Sequence, residues 1–180
     1  MKKNIVPLQA SDLAEPADLV AAIRARRGGE LINLDRMLLH SVPFARGWNR
    51  FLGEVRENLT LDPKLRELAM CGVAVLNRAD YEFLHHAPIF MKCGGSAAQT
   101  AALQQLGQAP LPQGLFSTQE EQVIELIVQM TRQIEVDDEL LESLQRQLGN
   151  TVLVELVGVI ATYNMVSRFL VALRVTPDSH

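Results

Sequence analysis

Leu61–Ser96 reads LDPKLRELAMCGVAVLNRADYEFLHHAPIFMKCGGS, and its punctuation decides the fold. Asp62-Pro63 is a helix start, with aspartate as the cap and proline at the first helical position, where its missing N–H costs nothing. From Lys64 to Leu76 the chain is apolar almost all round, as in a helix buried among other helices. A very short break at Arg78–Asp80 follows, and then a second helix capped by Asp80. Pro88 removes one backbone hydrogen bond, so that helix is expected to kink or end there. Helices joined by so short a turn pack antiparallel with axes about 8–10 Å apart, close enough for Glu67 on the first to meet His86 on the second.

Outward from this pair the pattern stays helical. Helices are expected at about 17–27, closed by Gly28-Gly29, at about 33–40 and at about 43–58. Ser96 caps AAQTAALQQL, which Gly107 stops. The Pro/Gly-rich GQAPLPQGLF is a linker, and Ser117-x-x-Glu120 is a capping box that opens a helix to about Ile134. Asp137 caps another helix to Gly149, and an apolar helix runs from about Thr151 to Leu173. Hairpin turns and sustained period-two alternation are absent, which makes the chain all-α. Its 180 residues are expected to form one domain, with the site core in 45–110 and the C-terminal helices in 117–175.

Composition narrows the function classes. A hydrophobic share of 48% with 21% charged residues is that of a folded chain, not a disordered one. A formal charge of −4 and the lack of a dense basic stripe argue against a nucleic-acid partner. The one basic cluster, Arg24–Arg27, reads as a solvated helix end. Met1-Lys2-Lys3 is followed by polar residues and proline, not by the apolar run of a secretory signal. Val152–Val171 approaches membrane-spanning length but carries Glu155, Asn164 and Arg168. A charge near the centre of a span costs about 2.5–3.5 kcal/mol, so a helix buried in protein is expected and no membrane partner. Cys71 and Cys93 have no metal or redox spacing and would stay reduced in the cytoplasm, the expected location.

The polar residues of the second helix carry the chemistry. Glu82 and His86 are four apart and share a face, as do Tyr81 and His85. On spacing alone Glu82–His86 could be a surface ion pair worth a few tenths of a kcal/mol. Phe83, Leu84, Ile89 and Phe90 around it favour burial, where carboxylate and imidazole would shift each other's pKa for acid–base work. A metal site is not expected: Glu82-x-x-His85 has no second copy, and the adjacent histidines point about 100° apart. Glu67 sits mid-helix among apolar residues, where an ionised carboxylate is expensive unless paired. Arg66 and Lys64 lie on other faces, so its partner is expected from another helix.

These residues resemble the carboxymuconolactone decarboxylase and alkylhydroperoxidase D-like superfamily. The resemblance runs over most of 45–173 and is most specific at Arg66-Glu67 and Asp80–His86. It implies a helical bundle of the alkylhydroperoxidase D-like type with Glu67 at the family's glutamate and His86 at its histidine. Ala79 and Glu82 stand where other members carry a Cys-x-x-Cys pair, so YEFLHH is similar to the cysteine-free branch. The implied activity is decarboxylation, or related lyase chemistry, on a small organic acid or lactone. Glu67, Glu82 and His86 would be catalytic, Tyr81 and His85 substrate-binding, and neither metal nor cofactor is implied. Arg66, Arg78 and Arg168 are candidate cations for an acidic substrate. The closing helix is apolar round nearly its whole circumference, so a homo-oligomer is expected. Asn164 and Arg168, four apart on one face, would supply polar contacts near the site or interface, and the resemblance implies a trimer or hexamer. Two other classes remain open: an antioxidant protein using Cys93, and a non-catalytic oligomeric helical protein.

Overall fold

The computed structural model describes residues 5–178, so Met1–Lys3 lies outside the described residues. Among the described residues the chain forms eight α-helices and no strand beyond an isolated bridge between Leu106 and Ala109. They divide into two compact units: residues up to Leu59 with those from Ala172 onward, and Thr60–Val171.

The first unit holds α1 (Ala17–Arg27), α2 (Asn33–Leu38) and α3 (Val42–Glu57). The arginine cluster is not a solvated helix end. Arg24 donates to the carbonyls of Ser11 and Gly29, Arg26 to Asn49 Oδ1 at 3.0 Å, and Arg27 to Asp35 Oδ2 at 3.1 Å. Burial and the neighbouring Arg27 charge pull the Arg26 guanidinium down to about 10, the cost of gathering cations around one buried aspartate.

The second unit is built on α4 (Pro63–Leu76), which packs on α5 (Asp80–Lys92) and α7 (Thr118–Arg132). Asp62 caps α4, its Oδ1 accepting from the Lys64 and Leu65 amides at 2.8 and 3.2 Å. Every residue from Glu67 to Ala74 is buried, as expected of a helix apolar all round. Gly72 lets α7 approach: a Cβ there would lie 3.2 Å from two carbons of Ile127. Ser96 and Ser117 both complete capping boxes, with Gln99 and Glu120, opening α6 (Ala97–Leu103) and α7. Helix α6 ends well before Gly107, which sits in the following loop at φ 79°.

One local expectation for α5 fails. Asp80 is the first helical residue, not the cap; Ala79 holds that place without a side-chain bond. Asp80 and Glu82 act instead as first-turn anions against the helix dipole. Pro88 neither ends α5 nor stops it short of Lys92. Proline removes the helical donor of the Leu84 carbonyl, at a point where both Leu84 and Pro88 are exposed.

Helix α8 (Asp138–Leu173) breaks at Gly149, where φ 76° and ψ 169° are not helical. The glycine therefore separates two helical stretches, as its place in the sequence suggested. By length and composition α8 is long and apolar enough to cross a membrane, yet half of its most apolar window is buried in protein. The buried face carries Leu156, Val159, Ile160, Tyr163, Val166 and Leu170. Glu155 leaves the apolar pattern to accept from the Thr60 and Leu61 amides at 2.9 and 2.8 Å, which anchors α8 beside the start of α4.

Candidate active site

The turn between α4 and α5 sets the geometry. Asn77 ends α4, Arg78 takes a left-handed backbone (φ 57°), and the Ala79 amide returns to the Ala74 carbonyl at 2.8 Å. Asn77 Nδ2 donates to Asn164 Oδ1 at 2.9 Å, and Asn164 Nδ2 donates to Thr131 Oγ1 at 3.1 Å and to the Ile160 carbonyl at 3.0 Å. One buried amide from α8 thus pins the turn and α7 together. Asn164 makes its polar contacts at the turn beside the site, one of the two places expected of it.

With the turn fixed, α5 runs back along α4 and Glu67 meets His86. His86 Nδ1 donates to Glu67 Oε2 at 2.7 Å, and His86 Nε2 lies 3.2 Å from Glu82 Oε2. Glu67, Glu82 and His86 are 3%, 2% and 7% exposed, which removes the alternative of a surface ion pair. Arg66 Nε reaches Glu67 Oε1 at 3.3 Å. The sequence placed Arg66 on another face, but its long side chain bends round the helix to its neighbour. Tyr163 of α8 presses its ring edgewise on His86, with centroids 5.0 Å apart at 86°.

The electrostatics follow from this alternation of charges: Arg66, Glu67, His86, Glu82. Burial by itself pushes the His86 imidazole down, since a dry pocket disfavours the charged ring. The hydrogen bonds to Glu67 and Glu82, with the charges of both, outweigh burial and hold the ring above its ordinary 6.5. Contact with two carboxylates through its two nitrogens is the arrangement an imidazolium satisfies best.

Tyr81 and His85 form a separate pair about 100° round α5. Their rings stack with centroids 4.5 Å apart at 17°, and His85 Nδ1 donates to the Tyr81 carbonyl at 2.8 Å. Of the candidate cations only Arg66 joins the carboxylate cluster; Arg78 and Arg168 are exposed. Among the described residues no group of three or more His, Cys, Asp or Glu is set to hold a metal ion. Both cysteines are free. Cys71 is fully buried one turn along α4 from Glu67. Burial first, then the Glu67 and Glu82 charges, push its thiol far up and keep it protonated.

Residues 43–109 match the carboxymuconolactone decarboxylase family. The family segment carries α4, α5 and the whole Glu67–Glu82–His86 cluster, while Tyr163 comes from outside it. No curated protein matches the chain. Solved structures share the fold over nearly the full length. A peroxidase-related protein from Silicibacter sp. TM1040 is 18% identical with a TM-score of 0.78, covering 99% of this chain and 96% of its own. A peroxidase-related protein from Ralstonia eutropha JMP134, described as an alkylhydroperoxidase AhpD core, is 15% identical at TM-score 0.78, covering 99% and 94%. A cysteine-to-alanine variant of the debrominase Bmp8 in complex with 2,3,4-tribromopyrrole is 13% identical at TM-score 0.77, covering 98% and 95%. At these identities the likeness is one of fold: an all-α bundle of the alkylhydroperoxidase D-like type.

Proposed function

We propose that the Glu67–His86–Glu82 cluster is an acid–base site for decarboxylation, or a related lyase step, on a small organic acid or lactone. The observation that carries this is the buried imidazole held at 2.7 Å by one carboxylate and 3.2 Å by a second. The namesake reaction of the matched family is the chemistry such a cluster suits. In it the bond from the carboxylate carbon to the lactone breaks, CO2 leaves, and the electron pair spreads onto the lactone carbonyl as a dienolate. The substrate's own carbonyl is the electron sink. His86 donates a hydrogen bond to the developing oxyanion and then gives its proton to carbon. Glu67 fixes the ring through Nδ1, which leaves Nε2 as the working nitrogen. Glu82, beside Nε2, is the group through which the ring would recover a proton after the transfer. The direct test offers carboxymuconolactone to the protein and follows CO2 release; consumption no faster than the uncatalysed background would remove the decarboxylase form of the proposal.

Thiol chemistry has less to stand on. A peroxide-attacking sulfur must be a thiolate, and Cys71 is held protonated in the core. Acid–base turnover in the cytoplasm needs neither cysteine oxidised.

Assembly into a trimer or hexamer is part of the same proposal. Val154 and Met165 on α8 are 70% and 39% exposed, an apolar surface that a second subunit would cover. A specific interface buries about 800 Å² per partner. Light scattering at low micromolar protein is expected to return three or six times 20.0 kDa, and a mass near 20.0 kDa would contradict assembly.

A further inference from the structure

A groove of about 560 Å³ opens in the second unit beside the α4–α5 turn. Its size falls within the range of small-molecule sites, about 300–1,000 Å³. Phe83 and Leu84 give its lining apolar surface, and Gln104, Gln105 and Gln108 add three amide side chains. Arg78 and Asp80 supply its charged groups, and Ala74 and Val75 complete the lining. None of Glu67, Glu82 or His86 contributes to it, so it is a second place on the same helix pair.

Three features give the groove a chemical preference. Arg78 is exposed and makes no hydrogen bond or ion pair through its side chain with any described residue. Its backbone is left-handed at φ 57°, a conformation that glycine takes at lower cost, yet the turn presents a long cation there. The glutamine amides add N–H donors that are not charged, and Leu84, 59% exposed, offers an apolar surface large enough to seat a ring. Planar, forked and always charged, a guanidinium matches a carboxylate in two parallel hydrogen bonds. Asp80 is the opposing element: its carboxylate weakens the field that an anion would feel.

We propose that this groove binds a small organic carboxylate, with Arg78 receiving the carboxylate group, the glutamine amides its remaining lone pairs, and Phe83 and Leu84 its apolar body. The site holds whatever reaction the Glu67–His86 cluster performs, because binding is read without turnover.

Benzoate titrated into the ¹⁵N-labelled full-length protein is the test. Saturable shifts are expected at the amides of Phe83, Gln105 and Gln108, with benzamide binding at least tenfold more weakly. Arg78→Gly suits the left-handed backbone, so it is expected to keep or raise the melting temperature while weakening benzoate at least tenfold. Asp80→Asn removes the repelling charge and is expected to tighten benzoate several-fold. Equal binding of benzamide, shifts centred on Glu67 and His86, or no saturation would overturn the proposal. So would an Asp80→Asn variant that binds benzoate more weakly, since the carboxylate would then be taking part in recognition.

Discussion

His86→Ala is expected to lower lyase turnover by about 10²–10⁴-fold, the usual contribution of a positioned general acid–base group. The imidazole is the one group in the cluster that can both stabilise an oxyanion and release a proton near neutral pH. His86→Gln keeps a polar side chain between the carboxylates but cannot transfer a proton, so it should lose activity to a similar degree while staying folded. Cys71→Ser and Cys93→Ser should leave turnover essentially intact. Cys71 is a buried, protonated thiol in α4, and Cys93 is the residue that ends α5, half-buried behind Lys92. Steady-state rates for the four variants, each checked for helicity by circular dichroism, decide between the chemistries. A Cys93→Ser variant that loses peroxide turnover while His86→Ala keeps it would reverse the assignment.

Glu67→Ala is expected to cost about 3–5 kcal/mol of stability, the penalty for breaking a buried ion pair by removing one partner. His86 is shielded from water, so solvation does not replace the lost contact with Glu67. The cost should depend on pH with a definite sign. The His86 pKa is raised on folding, so the pair's stabilisation is fully present below about 6.5, the unfolded value, and fades as pH rises through the folded one. Urea melts of wild type and Glu67→Ala should therefore differ more at pH 6 than at pH 9. A difference under about 1 kcal/mol at pH 6 would show that Glu67 and His86 are not coupled.

Much of the fold was legible because its signals are local. Asp62-Pro63, Ser96 with Gln99, and Ser117 with Glu120 act within one helical turn, and each opens a helix where the sequence placed it. Gly149 was legible for the same reason. Features that depend on tertiary context were misread. Nothing local to Arg24–Arg27 announces Asp35 and Asn49 as partners. At the site, Glu67 and His86 could be paired because a short turn leaves little freedom between their helices. Tyr163 could not, since its contact depends on how distant α8 lies on α5. An aromatic residue beside Asn164 and within an apolar run was the only trace it left.

The most direct measurement is the pH titration of the His86 ring by NMR, in wild type and in Glu67→Gln. Wild-type His86 is expected to stay doubly protonated above 6.5 and to lose its proton only at a higher midpoint. Glu67→Gln removes one of the two carboxylates that together outweigh burial, so its midpoint should fall. A wild-type ring that titrates at or below 6.5, unmoved by Glu67→Gln, would contradict an acid–base site built on this pair.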